Sequence, residues 1–576
     1  MSQSNPGQPW RLRLISEPVL KLFRRVTPGM SQTEREALDA GSVWWDGELF
    51  SGRPDWKKLR QLPAPKLSEE EQAFLNGPVE TLCRMLNDWD ITHERHDLPP
   101  EVWRFIKQNR FFSMIIPKSY GGLEFSALAH STVVMKVATR SITAAVTIMV
   151  PNSLGPAKLL LEYGTEAQKN YYLPRLAAGE EVPCFALTSP HAGSDAGAIP
   201  DYGIVCRQDF DGQSDVLGIR LNWEKRYITL GPVATLLGLA FKLYDPEHLL
   251  GDQEHLGITL ALIPTDTPGV EIGRRHLPLD IVFMNGPNSG KDVFIPLDWI
   301  IGGKDRVGQG WRMLMECLAD GRGISLPALS TGAGKLASRT VGGYARIRRQ
   351  FKLPIGRFEG VEEALARIGA YTYMMDAARS LTAVALDRGE KPSVISAIVK
   401  YHLTEGMRQV INDGMDVLGG AGICLGPRNL LGRAYQSIPI SITVEGANIL
   451  TRSLIIFGQG AIRCHRYLLA EMRAARHDDV RAFDSALRGH ARLLSSNLAR
   501  ALLHGLSGSR WARAPVKGAE AIHYRELTRM SAVLAVSSEA ALLTLGGALK
   551  RRESLSARIG DEMSSLSISA ADRKRV

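Results

Sequence analysis

The sequence predicts a mainly α-helical protein with a central β domain. Three observations carry this: a helical period from Ser68 to about Gly179, a change of texture between Val182 and Ile301, and long helical patterns from Trp311 onward. At 576 residues the chain is long enough for two or three packed units with sizeable cores. The first helical stretch opens as a capped helix should, with Ser68 before Glu69, Glu70 and Glu71 and apolar residues recurring along Phe74 to Leu86. The middle stretch carries short β-branched or alternating segments, among them 203–206, 226–229, 258–263 and 292–295, punctuated by Gly, Pro, Asp and Asn. It reads as a small antiparallel β domain. Helical patterns over 362–388, 394–418 and 448–472 then suit a helical bundle, and an amphipathic stretch over 525–568 adds further helices.

Composition is that of an ordinary globular protein, 44% hydrophobic and 23% charged. The net charge of +10 would suit a nucleic acid, an anionic lipid surface or polyanionic small molecules. The six cysteines are scattered without a CxxC pair, which points to a reducing compartment and to core positions. The polar start Met1 to Pro9 gives no cleavable signal peptide, and the apolar runs 141–150 and 232–241 fall short of the ~20 residues of a membrane-spanning helix. Residues 10–26 carry five basic residues against Glu17, interleaved with Leu12, Leu14, Ile15, Leu20, Leu22 and Phe23. That arm suits either an anionic membrane surface or the protein's own body, and Pro18 is expected to break any long helix in it.

Several phosphate-binding patterns fail on inspection. Gly332-Ala-Gly334-Lys335 lacks the glycine spacing of a P-loop, and Leu336 stands where Ser or Thr would hold magnesium. Gly420-Ala-Gly422 with Gly426 follows a helical pattern rather than a strand, so a Rossmann reading does not fit. His93 and His96 flank Glu94 and Arg95, but Asp97 before Pro99-Pro100 reads as a helix cap, and no metal site is expected.

The run Phe185 to Gly197, with Leu187-Thr188-Ser189-Pro190-His191 and Gly193-Ser194-Asp195, forces a tight loop with main-chain NH groups and hydroxyls free for an anionic or planar polar ligand. It resembles the signature of the acyl-CoA dehydrogenase family, Leu-Thr-Glu-Pro followed by two small residues and Gly-Ser-Asp, with Ser189 in place of Glu. Further matches follow in the family's order over roughly Leu67 to Arg463. Lys225-Arg-Tyr-Ile-Thr229 is similar to the Lys-x-Trp-Ile-Thr strand. Arg348-Arg-Gln-Phe351 resembles Arg-x-x-Phe, with Lys352 where Gly is usual. Asp416 to Gly422 resembles Gln-x-x-Gly-Gly-x-Gly. Asp416 replaces the Gln and, as an acid that should repel phosphate, is not carried over. Arg322 matches an Arg of a substrate motif in which Ala319 replaces an Asp. Thr443-Val444-Glu445-Gly446 looks like the family's Tyr-Glu-Gly-Thr loop; a Glu capping the helix near Asn448 is the plainer alternative.

The resemblance implies an acyl-CoA dehydrogenase-like fold with five segments: 1–66 a basic N-terminal extension, 67–181 the N-terminal helical domain, 182–305 a middle antiparallel β-barrel domain, 306–470 the C-terminal helical bundle, and 471–576 additional helices. It implies FAD as cofactor, held by Leu187, Thr188, Gly193, Ser194, Tyr227, Thr229, Arg348, Phe351 and Gly420. Substrate would meet Ser194, Arg322 and Gly446, and Glu445 would be the base that removes the α-proton of a fatty acyl-CoA. A carboxylate in a dry pocket suits that task because burial raises its basicity. Electrons would pass to electron-transfer flavoprotein. Arg348, Phe351 and Gly420 imply a homodimer or larger, because their family counterparts reach a neighbour's FAD; no nucleic acid is expected. An acyl-CoA oxidase shares every motif, and a non-catalytic lipid-binding scaffold on the same fold is the alternative of another class.

The segments 44–50, 54–58 and 457–465 are similar to the large bacterial branch of the family that serves fatty-acid degradation. That branch also carries a hydrophobic N-terminal segment and a longer C-terminal region not seen here, which implies either a shorter branch or a truncated chain. The expected location is cytoplasmic, with contact to the inner membrane through residues 10–26.

Overall fold

The computed structural model describes residues 10–27, 31–153 and 155–575, without the side chains of residues 318–320 and 550, so the start Met1–Pro9 and the Ala319 side chain lie outside the described residues. The chain forms two compact units. One gathers Pro65–Lys391 and His402–Ala447, the other Met1–Ala64, Pro392–Tyr401 and Asn448–Val576.

In the first of these, the helix Glu69–Phe74 begins as the sequence predicts. Ser68 Oγ accepts the Glu71 N–H while a Glu71 oxygen accepts the Ser68 N–H, a capping box, and the second Glu71 oxygen accepts the Ser126 N–H at 2.8 Å. Asp97 is not the cap expected of it: Pro99 holds that position for the helix Pro100–Gln108, and Asp97 accepts from Leu98 N and Trp103 Nε1 instead. The sheet comprises β1 Pro183–Ala186, β2 Tyr202–Phe210, β3 Gln213–Thr229, β4 Leu236–Tyr244, β5 His255–Pro264, β6 Val270–Ile272 and β7 Asn285–Pro296. Its order is β1-β4-β2-β3-β7-β6, with β5 beside β4. Most neighbours are antiparallel as expected, but β1–β4 and β2–β4 pair in parallel. Adjacent antiparallel strands can close by short turns, whereas β4 reaches β1 and β2 only by crossing over, which local alternation does not reveal.

The discarded motif at Gly332 and Gly334 is a packing site. Gly332 and Gly334 lie inside the helix Gly310–Ile347, where an added Cβ would meet Met135 O at 2.6 Å and Met375 Cε at 2.7 Å. Lys335 pairs with Asp376. Of the cysteines only Cys184, Cys317 and Cys464 are buried; Cys83 and Cys206 are half-buried and Cys424 is exposed, so the core reading holds for three.

In the second unit, residues 10–26 are helical without the break expected at Pro18: a π-helical turn over Leu12–Ser16 runs directly into the helix Glu17–Val26, whose second residue is Pro18. The arm packs on its own unit: Leu12 and Leu20 are buried, Arg11 pairs with Asp484, and Phe23 meets Phe483 edge-on. The helical stretch expected over 448–472 is interrupted at His465, whose Nδ1 accepts the Leu468 N–H at 2.9 Å and so opens the helix Leu468–Arg476. The run Glu520–Leu549 is long and apolar enough to cross a membrane, unlike the runs counted from sequence, and 39% of its apolar window is buried. Ala, Val and Leu make that window apolar, while Ser537, Ser538 and Glu539 interrupt any unbroken run in the sequence.

Glu539 lies inside that run in a buried cluster. His465 donates Nε2–H to one Glu539 oxygen at 2.6 Å, and His490 is held between Glu471 at 2.8 Å and the other Glu539 oxygen at 2.9 Å. The three groups His465, His490 and Glu539 have the spacing of a cation site. Because His465 Nδ1 already accepts a backbone N–H, its Nε2 must carry the proton, so the cluster works as a hydrogen-bonded ion pair. Burial alone would lower the His490 pKa, but the bonds to Glu471 and Glu539 outweigh it and push it from 6.5 up to about 10. Burial would raise Glu539, yet the bonds from His465 and His490 hold it down from 4.5 to about 2. The His490 contribution to stability is complete below pH 6.5 and fades as pH rises through 10; that of Glu539 is complete above pH 4.5 and fades as pH falls through 2. His490→Gln should therefore lower the melting temperature most between about pH 4.5 and 6.5 and converge on wild type toward pH 10, as read by calorimetry across that range. A deficit that does not vary with pH would assign His490 to packing alone.

Candidate active site

Between β1 and β2 the chain makes the loop that the sequence singles out, and β3 holds its first part. The Lys225 ammonium, fully buried, donates to the Leu187 carbonyl at 2.9 Å and to Asp201 Oδ2 at 2.5 Å. Arg226 N–H donates to the Thr188 carbonyl at 3.0 Å, and the Arg226 side chain to that of Pro190. Leu187 and Thr188 are thus half-buried and fixed on β3. Ser189, where the family has Glu, is buried and accepts the N–H groups of His191 and Ala192 through its hydroxyl, closing the turn from within. Beyond it Gly193, Ser194 and Asp195 are exposed, and their N–H groups meet no acceptor among the described residues. Nothing lies within 4 Å of where a Gly193 Cβ would be, so a ligand can approach the backbone there.

The end of β3 carries a bulge. Its register against β7 shifts between Lys225 and Ile228, which places Arg226 and Tyr227 in the irregular step. Tyr227 takes a φ of +62°, costly for an aromatic residue, and its ring stands 58% exposed beside His276. Burial pattern resumes at Ile228, and Thr229 Oγ1 accepts from Asn285 on β7 at 3.3 Å. The bulge is what brings Tyr227 and Thr229 to the same strand end as the Leu187–Thr188 loop.

Glu445 follows the helix Gly432–Thr443, which ends at Val444. Glu445 has φ +55° and Gly446 φ +94°, so two consecutive residues adopt the left-handed region, easily for Gly446 and with strain for Glu445. Both carboxylate oxygens are buried. Arg322, inside the helix Gly310–Ile347, is its charge partner: burial lowers the Arg322 pKa and the Glu445 charge acts to raise it. Arg322 Nε is itself buried and meets no acceptor among the described residues. The sequence motif marks Arg322 for substrate; the charge pairing with Glu445, across more than a hundred residues, was not legible.

Four family models match the chain in succession: the acyl-CoA dehydrogenase N-terminal domain over residues 68–180, the middle domain over 184–284, the C-terminal domain over 308–458, and the bacterial-type acyl-CoA dehydrogenase C-terminal model over 462–575. The chain belongs to the acyl-CoA dehydrogenase family. It is similar over 103 residues, 18% of its length, to the protein HemX of Proteus mirabilis at 64% identity, and over 70% of its length to the probable acyl-CoA dehydrogenase FadE10 of Mycobacterium tuberculosis at 29%. It spans 61% and 59% of those two relatives' lengths. The 3-(aryl)acrylate reductase of Clostridium sporogenes is 29% identical over 64% of this chain and 92% of its own. Among solved structures, an acyl-CoA dehydrogenase complexed with FAD from Bacillus anthracis shares the fold at a TM-score of 0.67 and 19% identity, covering 95% of this chain and 84% of that one.

The remaining residues of the acyl-CoA dehydrogenase motifs sit on exposed helix ends and turns. Arg348 ends the helix Gly310–Ile347 exposed, and Phe351 and Lys352 form the two-residue turn of the hairpin Arg349–Gln350 with Leu353–Pro354. Both turn residues have positive φ, +50° and +69°, the pattern of a type I′ turn, so Lys352 occupies a position that the family's Gly fills without strain. Phe351 is 89% exposed. Gly420 is exposed just after Gly419, whose φ of +56° turns the chain out of the helix Ser393–Leu418, and Asp416 beside it is exposed. No backbone hydrogen bond among the described residues joins Arg348, Phe351 or Gly420 to Thr188 or Tyr227.

Lys225 ties the candidate flavin loop to the bulge, and burial holds its pKa down while Asp201 opposes that shift. Lys225→Met leaves Asp201 buried without its cation and should cost about 3–5 kcal/mol, read as a lowered denaturant midpoint. A midpoint within a few tenths of a kcal/mol of wild type would show that the pair does not hold the loop.

Proposed function

We propose that this chain is an FAD-dependent acyl-CoA dehydrogenase that converts fatty acyl-CoA of medium to long chain into the trans-2-enoyl-CoA and passes electrons to electron-transfer flavoprotein. The observation that carries the reading is the buried Glu445 carboxylate, in a strained turn before Gly446 and with Arg322 as its charge partner.

The residues on the page suit the cofactor. Free main-chain N–H groups at Gly193–Asp195 suit an anionic, polar group, and the exposed Tyr227 ring, Thr188 and Thr229 offer a planar face with hydroxyls. When bound, FAD supplies the acceptor for the β-hydrogen, which leaves carbon as hydride. Glu445 takes the α-proton, so that the pair of electrons left at the α-carbon closes the double bond as the β-hydrogen departs. The Arg322 charge lies close enough to act on the Glu445 carboxylate, and, as the family resemblance implies, the Glu445 N–H would donate to the thioester oxygen as it gains negative charge. Gly446, without a side chain, leaves room for the thioester. Similarity to an arylacrylate reductase widens the acyl groups worth assaying, so a substrate panel should include 3-arylpropanoyl thioesters beside straight chains.

Glu445→Gln keeps the shape but cannot accept a proton. Turnover should fall at least about 10²–10⁴-fold while acyl-CoA binding and the flavin spectrum stay near wild type. Anaerobic flavin bleaching by acyl-CoA at the wild-type rate would place the base elsewhere.

We also propose a homodimer or larger, on the exposed Phe351 at the tip of a strained hairpin. Phe351→Asp should shift the chain toward monomer in sedimentation and release FAD. An unchanged oligomer that retains its flavin would remove the hairpin from the interface.

A further inference from the structure

The helix Val480–Leu506 shows two different surfaces along one face. Near its start Asp484 accepts Arg11 at 2.8 Å and Ser16 at 2.7 Å, so the arm of residues 10–26 covers that end. Eighteen residues, or five helical turns, later the same side of the helix is bare. Leu498, Leu502 and Leu506 recur at intervals of four, with Leu503 beside them, at 47%, 58%, 86% and 49% exposure. The loop that follows presents Trp511 at 68% exposure.

Charge around this stripe is of one sign. From Arg488 to Ala519 the chain carries six Arg and Lys residues and no Asp or Glu. Arg488 pairs with Asp484 and Arg500 bonds to Asn497 and to the Gly52 carbonyl, but Arg492, Arg510, Arg513 and Lys517 are exposed and make no ion pair among the described residues. The arm differs here. Arg11 and Arg24 are drawn into pairs with Asp484 and Asp478, and Lys21 into one with Glu17, which leaves Arg13 and Arg25.

We propose that the end of the helix Val480–Leu506 and the loop to Glu520 dock on an anionic lipid bilayer. Leu498, Leu502, Leu506 and Trp511 enter the headgroup boundary, and Arg492, Arg510, Arg513 and Lys517 meet lipid phosphates. An exposed apolar stripe flanked by cations and a Trp has the make-up of a helix that lies in the membrane interface. A second copy of this chain fits the stripe less well, because pairing two such surfaces brings like charges together. The inference is independent of the catalytic reading, since none of these residues is part of that site.

The test uses the full flavin-loaded chain and flotation with vesicles of phosphatidylcholine alone or with about one-third phosphatidylglycerol. Each cation near an anionic surface is worth about fivefold in affinity, so binding should be strong only on the anionic vesicles and should weaken with salt. Arg510→Glu with Arg513→Glu, and separately Leu502→Asp with Leu506→Asp, should each reduce binding at least about tenfold with turnover unchanged. Leu502→Ala with Leu506→Ala keeps helix propensity and should still lose affinity if the Asp pair misfolds. Brominated lipid should quench wild-type fluorescence and much less that of Trp511→Phe. The proposal is overturned if wild type does not prefer anionic vesicles. It is also overturned if the stripe variants bind as wild type while Leu14→Asp with Leu22→Asp on the arm does not, or if the stripe variants instead convert an oligomer to monomer.

Discussion

Burying the Lys225 ammonium is tolerable only because its partners are already in place. An isolated charge would cost several kcal/mol in the protein interior, so Asp201 and the Leu187 carbonyl have to converge on it. Asp201 is in turn committed: its second oxygen accepts Glu224 N–H and its carbonyl accepts Lys242 N–H. One ion pair therefore ties together the exit of β1, the start of β2, the end of β3 and β4. The Thr188 carbonyl is held by the next residue, Arg226, and the bulge that turns out Tyr227 begins there. The ion pair that stabilises the sheet edge also sets where the candidate flavin loop and the aromatic side chain stand.

Four motif positions carry backbone strain. Tyr227, Phe351, Lys352 and Glu445 all have positive φ, and each such residue other than glycine costs of order 1 kcal/mol or more. A chain selected for stability alone would place Gly or Asn at these turns, as it does at Gly419 and Gly446. At Tyr227 the strain turns a ring out of the sheet. At Glu445 it holds a carboxylate buried, with the Arg322 charge nearby. At Phe351–Lys352 it narrows a hairpin whose tip is an exposed aromatic residue.

Local features were legible in the sequence. The capping box at Ser68 and Glu71, the strands around 203–206 and 258–263, and the helices Glu359–Asp387 and Ser393–Leu418 follow from periodicity and end signals, and all form as expected. What was hidden depends on distant partners. The parallel pairing of β4 with β1 and β2 joins strands that no local alternation orders, and the break at His465 arises because its ring caps the following helix. In the candidate site Glu445 and Thr188 were legible as motifs. Arg322 as a charge partner of Glu445, and Ser189 as the hydroxyl that closes the candidate flavin loop, were not, because neither role leaves a local signal.

Net charge illustrates the same limit. A total of +10 says that something anionic is favoured, and the densest basic stretch visible near the start, residues 10–26, is the natural place to look for the contact. Three of its five cations are engaged by acids of the same unit, and two of its apolar residues are buried there. Residues 488–519 are less dense in charge, yet four of their cations have no acidic partner among the described residues and stand beside an uncovered apolar stripe. What a charged segment can attract depends on the charge that remains after folding, and only the folded structure separates cations spent on internal pairs from those left to meet a partner.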